Sequence, residues 1–375
     1  MMGRPDITAV ILAAGYSSRM GCFKPLLKIG EQTFLEKAVS LFRDTGISDI
    51  RVVVGDRRER IEPILEKAGI QTIVNAANSR EMFSSVLAAL HELEPVVRSI
   101  MLLPVDIPLV RSWTIRYLLQ KHHLDRDRIL IPCFQGKRGH PVIIPAKHFS
   151  VIKQWTGKDG LRGALSRLAD KTTSVPVADA NILFDVDTPH DYEALKKRWL
   201  NNAVPTREEC EAILKDVVCV EERIYAHGLA VSRVAEKICN ALVRSGGLLD
   251  CNQVVAAGLL HDLAKRNPRH DQKAAEMLTE MGYAGIAPIV AAHTDIACSP
   301  DEPINPSEVL YLADKLVSGT AIVSLKRRFQ DALQTYGHDP EIKKKIEKRF
   351  QNALLIKKKV ETVVGKPLSG YMDTG

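Results

Sequence analysis

Residues 9–24 read AVILAAGYSSRMGCFK. An unbroken apolar run, Ala9 to Leu12, stops at Ala13-Ala14-Gly15, and two serines, an arginine, a second glycine and a lysine follow. An apolar run without alternation suits a strand buried on both faces of a parallel sheet. A glycine after such a strand lets the backbone turn sharply and lets a ligand come close to main-chain N–H groups. A row of such groups makes an anion-binding concavity. Arg19 and Lys24 add charge to the same anion, the arginine through a fork that can grip two oxygens. The stretch therefore reads as a strand followed by a phosphate loop. Its spacing is neither G-x-x-x-x-G-K-[ST] nor G-x-G-x-x-G.

The first 200 residues supply the sheet that such a loop requires. ITAVILAA, DIRVVVG, QTIVN, SIMLLPVD, RILIPC, PVIIP and TSVPV are strand candidates. Helical patterns lie between several of them, among them TFLEKAVSLFRDTG, which closes on glycine as a helix C-terminus does. Strand–helix alternation predicts an α/β fold, a three-layer Rossmann-like sandwich with a mainly parallel sheet. In such sheets ligands bind at the carboxyl ends of the strands. Asp106, between two prolines in PVDIP, follows a strand. Asp185 and Asp187 in FDVDTPHD are two apart and share a face if extended. A carboxylate beside a phosphate loop can hold Mg²⁺ against triphosphate oxygens. Asp106 is the first choice for this role, Asp187 the second and Asp185 the third. Asp187 has a competing use as the cap of a helix opening at Thr188-Pro189.

After residue 198 the rhythm changes. KRWLNNAVPTREE carries a proline and a Thr-x-x-Glu capping box, Thr206 with Glu209. We place the domain boundary there, giving 1–203 and 204–375. Only helical periodicity follows, with Ile224, His227, Val231, Val234 and Ile238 on one face. His227, the adjacent pair His261-Asp262 in LLHDLAKR, His270, His293 and Asp314 all lie on or beside apolar helical faces. Ligands pointing into a bundle core lie on such faces. Imidazole and carboxylate together suit a borderline divalent metal, and burying His261 and Asp262 without a partner would be costly.

Composition narrows the classes. A chain of 375 residues allows about two domains. A net charge of +7 fits anionic small substrates and is too weak and scattered to argue for nucleic acid. The basic runs at 343–350 and 357–359 read as solvated helix faces. Seven cysteines, none in a C-x-x-C pair, predict unpaired thiols in a reducing compartment. No apolar stretch has the length of a membrane span, and the N-terminal apolar run is too short for a signal peptide. The expectation is a cytoplasmic protein with no membrane and no nucleic-acid partner.

The motifs LAAGYSSRMGCFK, PVDIP, GKRGHPVIIP and FDVDTPHD resemble the molybdenum-cofactor cytidylyltransferases, a branch of the MobA-like nucleotidyltransferases, over residues 6–200. The resemblance implies transfer of CMP from CTP to molybdenum-molybdopterin, giving molybdopterin cytosine dinucleotide and pyrophosphate, with Mg²⁺. It puts the nucleotide loop on Leu12, Ala13, Ala14, Gly15, Ser17, Arg19 and Gly21, the phosphate-binding lysine on Lys24, and the metal-binding aspartates on Asp106 and Asp187. Arg138 and His140 fall on the cofactor side. Asn75, Met82 and Ser84 lie in the family's segment before its second helix, where Glu81 replaces the usual glycine. Ala14 stands where the related guanylyltransferases carry glycine, which favours CTP over GTP.

The order H…HD…D resembles the HD-domain metal-dependent phosphohydrolases over residues 220–320. That resemblance implies a helical bundle, with His227, His261, Asp262 and Asp314 as core metal ligands. His270 and His293 match the extra ligands of two-metal members, and Lys265 would meet a substrate phosphate. The metal would be Mn²⁺, Fe²⁺, Co²⁺ or Ni²⁺, and the reaction hydrolysis of a phosphate ester or anhydride. The whole chain is thus expected to be a bifunctional enzyme, with a molybdoenzyme that receives the cofactor as an implied partner. The alternatives are a cytidylyltransferase whose second half only senses nucleotide or docks a partner, and a guanylyltransferase or other nucleotidyltransferase with a different acceptor.

Overall fold

The computed structural model describes residues 6–15, 19–76, 82–94 and 96–369. It divides into two compact units, Met1–Asn201 and Asn202–Gly375.

The first unit runs β1 (Thr8–Leu12), β2 (Lys28–Ile29), β3 (Gln32–Thr33), α1 (Phe34–Arg43), β4 (Ile50–Val54), α2 (Glu62–Lys67), β5 (Gln71–Val74), α3 (Met82–Leu93), β6 (Ser99–Pro104) and α4 (Ser112–Leu124). It continues with β7 (Ile129–Phe134), β8 (Lys137–Arg138), β9 (Val142–Pro145), α5 (Phe149–Lys153), α6 (Gly160–Ser166), β10 (Thr172–Pro176) and α7 (Pro189–Asn201). The main sheet has the order β10-β7-β9-β6-β1-β4-β5, with β8 paired to β7. β1 lies between β4 and β6, parallel to both. β9 alone reverses within the seven-strand path, pairing antiparallel with β6 and β7. Every residue of β1 and β6 is buried, as unalternated apolar strands inside a covered sheet should be. Val86, Ala89, Leu90 and Leu93 of α3 and Phe149 and Ile152 of α5 pack against one face of the sheet.

Register decides where the chemistry sits. Leu12 at the end of β1 lies opposite Pro104 at the end of β6, and Val105 N–H donates to Leu12 O over 3.1 Å. The two loops that follow, one with Gly15 and Lys24 and the other with Asp106, therefore leave the sheet side by side. α1 opens with a capping box between Thr33 and Glu36 and buries Phe34, Leu35, Ala38, Val39 and Phe42. Its glycine signal lies a little beyond the last turn, at Gly46, where φ is +86°.

The second unit holds α8 (Arg207–Ala212), α9 (Glu222–Arg244), α10 (Cys251–Leu260), α11 (His270–Glu280), α12 (Ala287–Ala291), α13 (Pro306–Lys315), the two-residue strands β11 (Val317–Ser318) and β12 (Ala321–Ile322), α14 (Leu325–Tyr336) and α15 (Pro340–Val364). The short hairpin apart, it is the helical bundle that the periodicity implied. The Thr206–Glu209 capping box opens α8. α9 and α10 cross at two glycines. A Cβ on Gly228 would come 2.6 Å from Leu259 O, and one on Gly258 would come 2.8 Å from Ser232 Cα. Only glycine lets the two backbones meet this closely.

One expectation is corrected here. Cys239 on α9 and Cys251 at the start of α10 form a disulfide with Cα atoms 5.7 Å apart, so the thiols are not all unpaired. The two cysteines are twelve residues apart in sequence, and no C-x-x-C spacing marks them; the tight α9–α10 crossing brings them together. Among the described residues, no helix is long and apolar enough to cross a membrane.

Candidate phosphoryl-transfer site and metal centre

In the first unit the chemistry gathers on Lys24. Its Nζ donates to Asp106 Oδ2 over 2.9 Å and to Asp187 Oδ1 over 2.7 Å. Arg19 pairs with the other oxygen of Asp187 at 2.7 Å. Lys24 is mostly buried, its side chain 12% exposed, whereas Arg19 stays open to solvent at 71%. Burial alone would lower the Lys24 pKa, but Asp106 and Asp187 outweigh it and hold the ammonium above the ordinary lysine value. The group is fully charged at neutral pH.

Local folding frees both carboxylates for this task. Val186 N–H donates to Asp106 O over 3.0 Å, tying the two acidic segments together. α7 is capped by its own box: Thr188 N–H and Oγ donate to Asp191 Oδ2 at 2.7 and 2.8 Å, and Asp191 N–H donates back to Thr188 Oγ. The competing use of Asp187 as a helix cap is thereby taken over by Thr188 and Asp191. Asp185, the third choice, is exposed. It forms no three-ligand metal group with Asp106 and Asp187 among the described residues.

Leu12 and Ala13 are buried at the strand end, and Ala14 and Gly15 continue from them. The glycine that the backbone requires is Gly21, with φ at +71°; a Cβ on Gly15 would meet nothing within 4 Å. Ser17 lies outside the described residues. Beside the loop, Gly55, Asp56, Arg57 and Arg58 join Ala13, Ala14 and Gly15 around a cavity of about 10 Å³. These four went unnoticed in the sequence, although DIRVVVG ends the strand adjacent to β1. A Cβ on Gly55 would come 2.8 Å from Ala14 O, so the glycine signals a close approach to the loop.

A larger cavity of about 1150 Å³ is lined by Met82, Phe83, Arg138, His140, Lys158 and Arg162, among others. Gly139 lets the chain press against its neighbour, since a Cβ there would lie 2.4 Å from Ile182 O. His140 Nδ1 is buried without a hydrogen-bond partner. Burial pushes the His140 pKa down, so the ring is neutral. Arg138 is exposed and donates from Nε to Ser174 Oγ. Asn75 and Ser84 meet each other at 2.9 Å. Lys158 and Arg162 were missed because no motif spacing marks them, Lys158 lying in a turn and Arg162 on the short helix α6.

In the second unit the six expected residues converge. His227 Nε2 lies 3.2 Å from Asp314 Oδ1, and His261 Nε2 lies 3.6 Å from both Asp314 Oδ1 and Asp262 Oδ2. His270 and His293 each place Nε2 3.6 Å from Asp262 Oδ1 and 3.2 Å from one another. Two groups result, His227–His261–Asp262 and Asp262–His270–His293, with Asp262 common to both. The Nδ1 atoms of His227, His261 and His293 bond the carbonyls of Gly319, Gly258 and Val290 at 2.7, 2.8 and 2.7 Å. Each ring thus donates its proton from Nδ1 and turns the lone pair of Nε2 inward, the form in which histidine ligates a metal.

The electrostatics agree. His261 is fully buried, its Nε2 has no hydrogen-bond partner, and burial pushes its pKa down to about 4. Burial alone would raise the pKa of Asp314, but Lys315 and the surrounding histidines hold it well below the carboxylate range. A buried orphan nitrogen facing two ionised carboxylates fits a divalent cation. Lys265 Nζ reaches Asp262 at 3.0 Å. Lys315 Nζ was missed in the sequence. It lies 2.6 Å from Asp314 Oδ2 and 3.1 Å from His293 O, and its position directly after Asp314 was the available signal.

Residues 9–172 match the MobA-like NTP transferase domain, and residues 224–319 match the HD domain. The chain carries a MobA-like NTP transferase domain and an HD domain. Among curated proteins, a molybdenum cofactor cytidylyltransferase of Escherichia coli is 29% identical over 196 residues, covering 52% of this chain and 97% of that protein. The bifunctional protein GlmU of Corynebacterium diphtheriae is 35% identical over 131 residues, 32% of this chain; the chain spans only 27% of that relative. Among solved structures, Rv0371c of Mycobacterium tuberculosis H37Rv is 24% identical, with a TM-score of 0.45 over 52% of this chain and all of that one. The relatives named here each match about half of the chain or less.

Proposed function

We propose that the MobA-like domain transfers CMP from CTP to molybdenum-molybdopterin, releasing pyrophosphate, and that the HD domain hydrolyses a phosphate ester or anhydride. The observation that carries the first half is Lys24, held between Asp106 and Asp187 at the mouth of the loop after β1. The Escherichia coli relative, aligned over nearly its whole length, supports the choice of CTP and acceptor.

Ala13 to Gly21, with Arg19 and Lys24, would cradle the triphosphate, and Asp106 and Asp187 would hold Mg²⁺. When bound, that ion supplies positive charge to the phosphoryl oxygens. A terminal phosphate of the acceptor attacks the α-phosphorus and pyrophosphate leaves, with no covalent enzyme intermediate needed. Positioning and charge neutralisation then carry the rate. Lys24 and Arg19 offset charge that builds on the departing phosphates. The large cavity, with Phe83 and Met82 beside Arg138, Lys158 and Arg162, suits a flat anionic acceptor.

In the HD domain, His227, His261, Asp262 and Asp314 would hold one divalent metal, with His270 and His293 completing a second position through Asp262. The metal supplies Lewis acidity at a substrate phosphate oxygen. Lys265, about half exposed, would steady the phosphate.

The test is to offer CTP, GTP and ATP with molybdenum-loaded molybdopterin and Mg²⁺, and to follow pyrophosphate. CTP-selective release is expected. A GTP preference would assign guanylyl transfer instead, and no release with any nucleotide refutes the reading. For the HD domain, a screen of phosphate compounds with Mn²⁺, Fe²⁺, Co²⁺ or Ni²⁺ should find one that is cleaved. No cleavage in the screen leaves sensing or docking as the function of that half.

A further inference from the structure

Lys24 Nζ approaches one oxygen of each carboxylate assigned to the metal, Asp106 Oδ2 at 2.9 Å and Asp187 Oδ1 at 2.7 Å. A magnesium ion bound to both carboxylates would sit at about 2.1 Å from oxygen, between the same two groups. An ammonium and a divalent cation cannot share that space. The second oxygen of Asp187 is engaged as well, by Arg19 at 2.7 Å. Building on the nucleotidyltransferase reading above, we infer that Lys24 is a built-in counter-ion that makes divalent-metal binding at Asp106 and Asp187 conditional on a nucleoside triphosphate.

Several features argue for this exchange. The Lys24 side chain is mostly buried and partnered by two acids, so the ammonium cannot simply leave for water without loss; it needs another anion nearby. The residues expected to cradle phosphate, Ala14, Gly15 and Gly21, precede it by only a few positions. Lysine has a flexible four-carbon stem that lets its charge swing while its backbone stays put. A polyphosphate arriving at the loop offers the new partner, and the two carboxylates are then released to the metal that accompanies it. Arg19, largely exposed, can follow the same anion. Metal and nucleotide therefore enter together, and the free protein does not load metal at this site.

The experiment measures Mn²⁺ binding to the full chain by electron paramagnetic resonance, with and without CTP. The site is isolated from HD-domain metal by subtracting the Asp106→Asn variant from its parent. The wild type should show no Asp106-dependent Mn²⁺ alone and gain it with CTP. Lys24→Met should bind Asp106-dependent Mn²⁺ without nucleotide, at least tenfold more tightly than wild type. Lys24→Arg, which keeps the charge, should preserve the nucleotide requirement. Circular dichroism melts show that each variant is folded, and the wild-type comparison stands without any substitution at Lys24. Equal Asp106-dependent binding by wild type with and without CTP would overturn the inference while leaving the transferase reading intact. Failure of Lys24→Met to gain binding would do the same. No Asp106-dependent Mn²⁺ in wild type even with CTP would bring down both.

Discussion

Replacing Gly258 by alanine probes the link from helix packing to the HD-domain metal centre. The new Cβ would lie 2.8 Å from Ser232 Cα, 3.1 Å from Ser232 N and 3.2 Å from Ser232 Cβ. Carbon atoms pack at about 3.5 Å or more, so α9 and α10 must separate by about 0.7 Å. None of the three atoms is a flexible side-chain tip, and two of them are backbone. Gly258 lies one turn before His261 and accepts its Nδ1–H, while Ser232 shares α9 with His227. The separation therefore moves the two proposed ligands His227 and His261 apart, and metal–ligand distances tolerate only about 0.2 Å. Overpacking of this kind costs about 1–3 kcal/mol. Gly258→Ala should lower the stability of the metal-free C-terminal unit by that amount in denaturant titration and weaken Mn²⁺ binding to the HD domain at least tenfold. Stability within about 0.5 kcal/mol of wild type, together with unchanged Mn²⁺ affinity, would refute the reasoning.

Other outcomes follow from the same geometry. Asp106→Ala should reduce nucleotidyl transfer by about a hundredfold or more while the thermal melt stays cooperative; wild-type turnover in the folded variant would remove Asp106 from the site. Reducing the Cys239–Cys251 bridge frees a short loop between α9 and α10 and should cost the helical unit about 3 kcal/mol, read as a lower denaturation midpoint that a Cys239→Ser/Cys251→Ser variant does not show on adding reductant. The folded-state pKa of His261 is near 4, below the unfolded value of about 6.5, so acid favours the unfolded chain. Its contribution to metal-free stability should be complete above pH 6.5 and lost as pH falls towards 4. The stability difference between wild type and His261→Asn should shrink over that window, and a pH-independent difference would contradict the assignment.

How much could be read in advance depended on how local each signal was. β1, β4, β6, β7 and β9 were visible as apolar runs, because strands covered on both faces need no alternation to betray them, whereas the edge strands β5 and β10 keep exposed residues and showed only a short apolar signal. The Thr206–Glu209 box marked the start of α8 for the same local reason. The HD-domain residues were legible because His261 and Asp262, adjacent at the end of an apolar stretch, would be costly to bury without partners. The misses were non-local. Nothing near Cys239 or Cys251 says that α9 and α10 cross at Gly228 and Gly258. The competition over Asp187 was decided by Asp191, which caps Thr188 and leaves the aspartate to Lys24. Gly55 and Lys158 lie outside helices and strands and Arg162 on the short helix α6, and only the folded chain brings them to the cavities.

The central claim concerns which bond of the nucleotide is broken. CTP labelled at the α-phosphate, offered with Mg²⁺ and molybdenum-loaded molybdopterin, tests it directly. The account predicts that the label moves to the molybdopterin product with one pyrophosphate released for each transfer, and that Asp106→Ala slows the movement by about a hundredfold or more. Label recovered only as free CMP or unreacted CTP, with none on the acceptor, would contradict it.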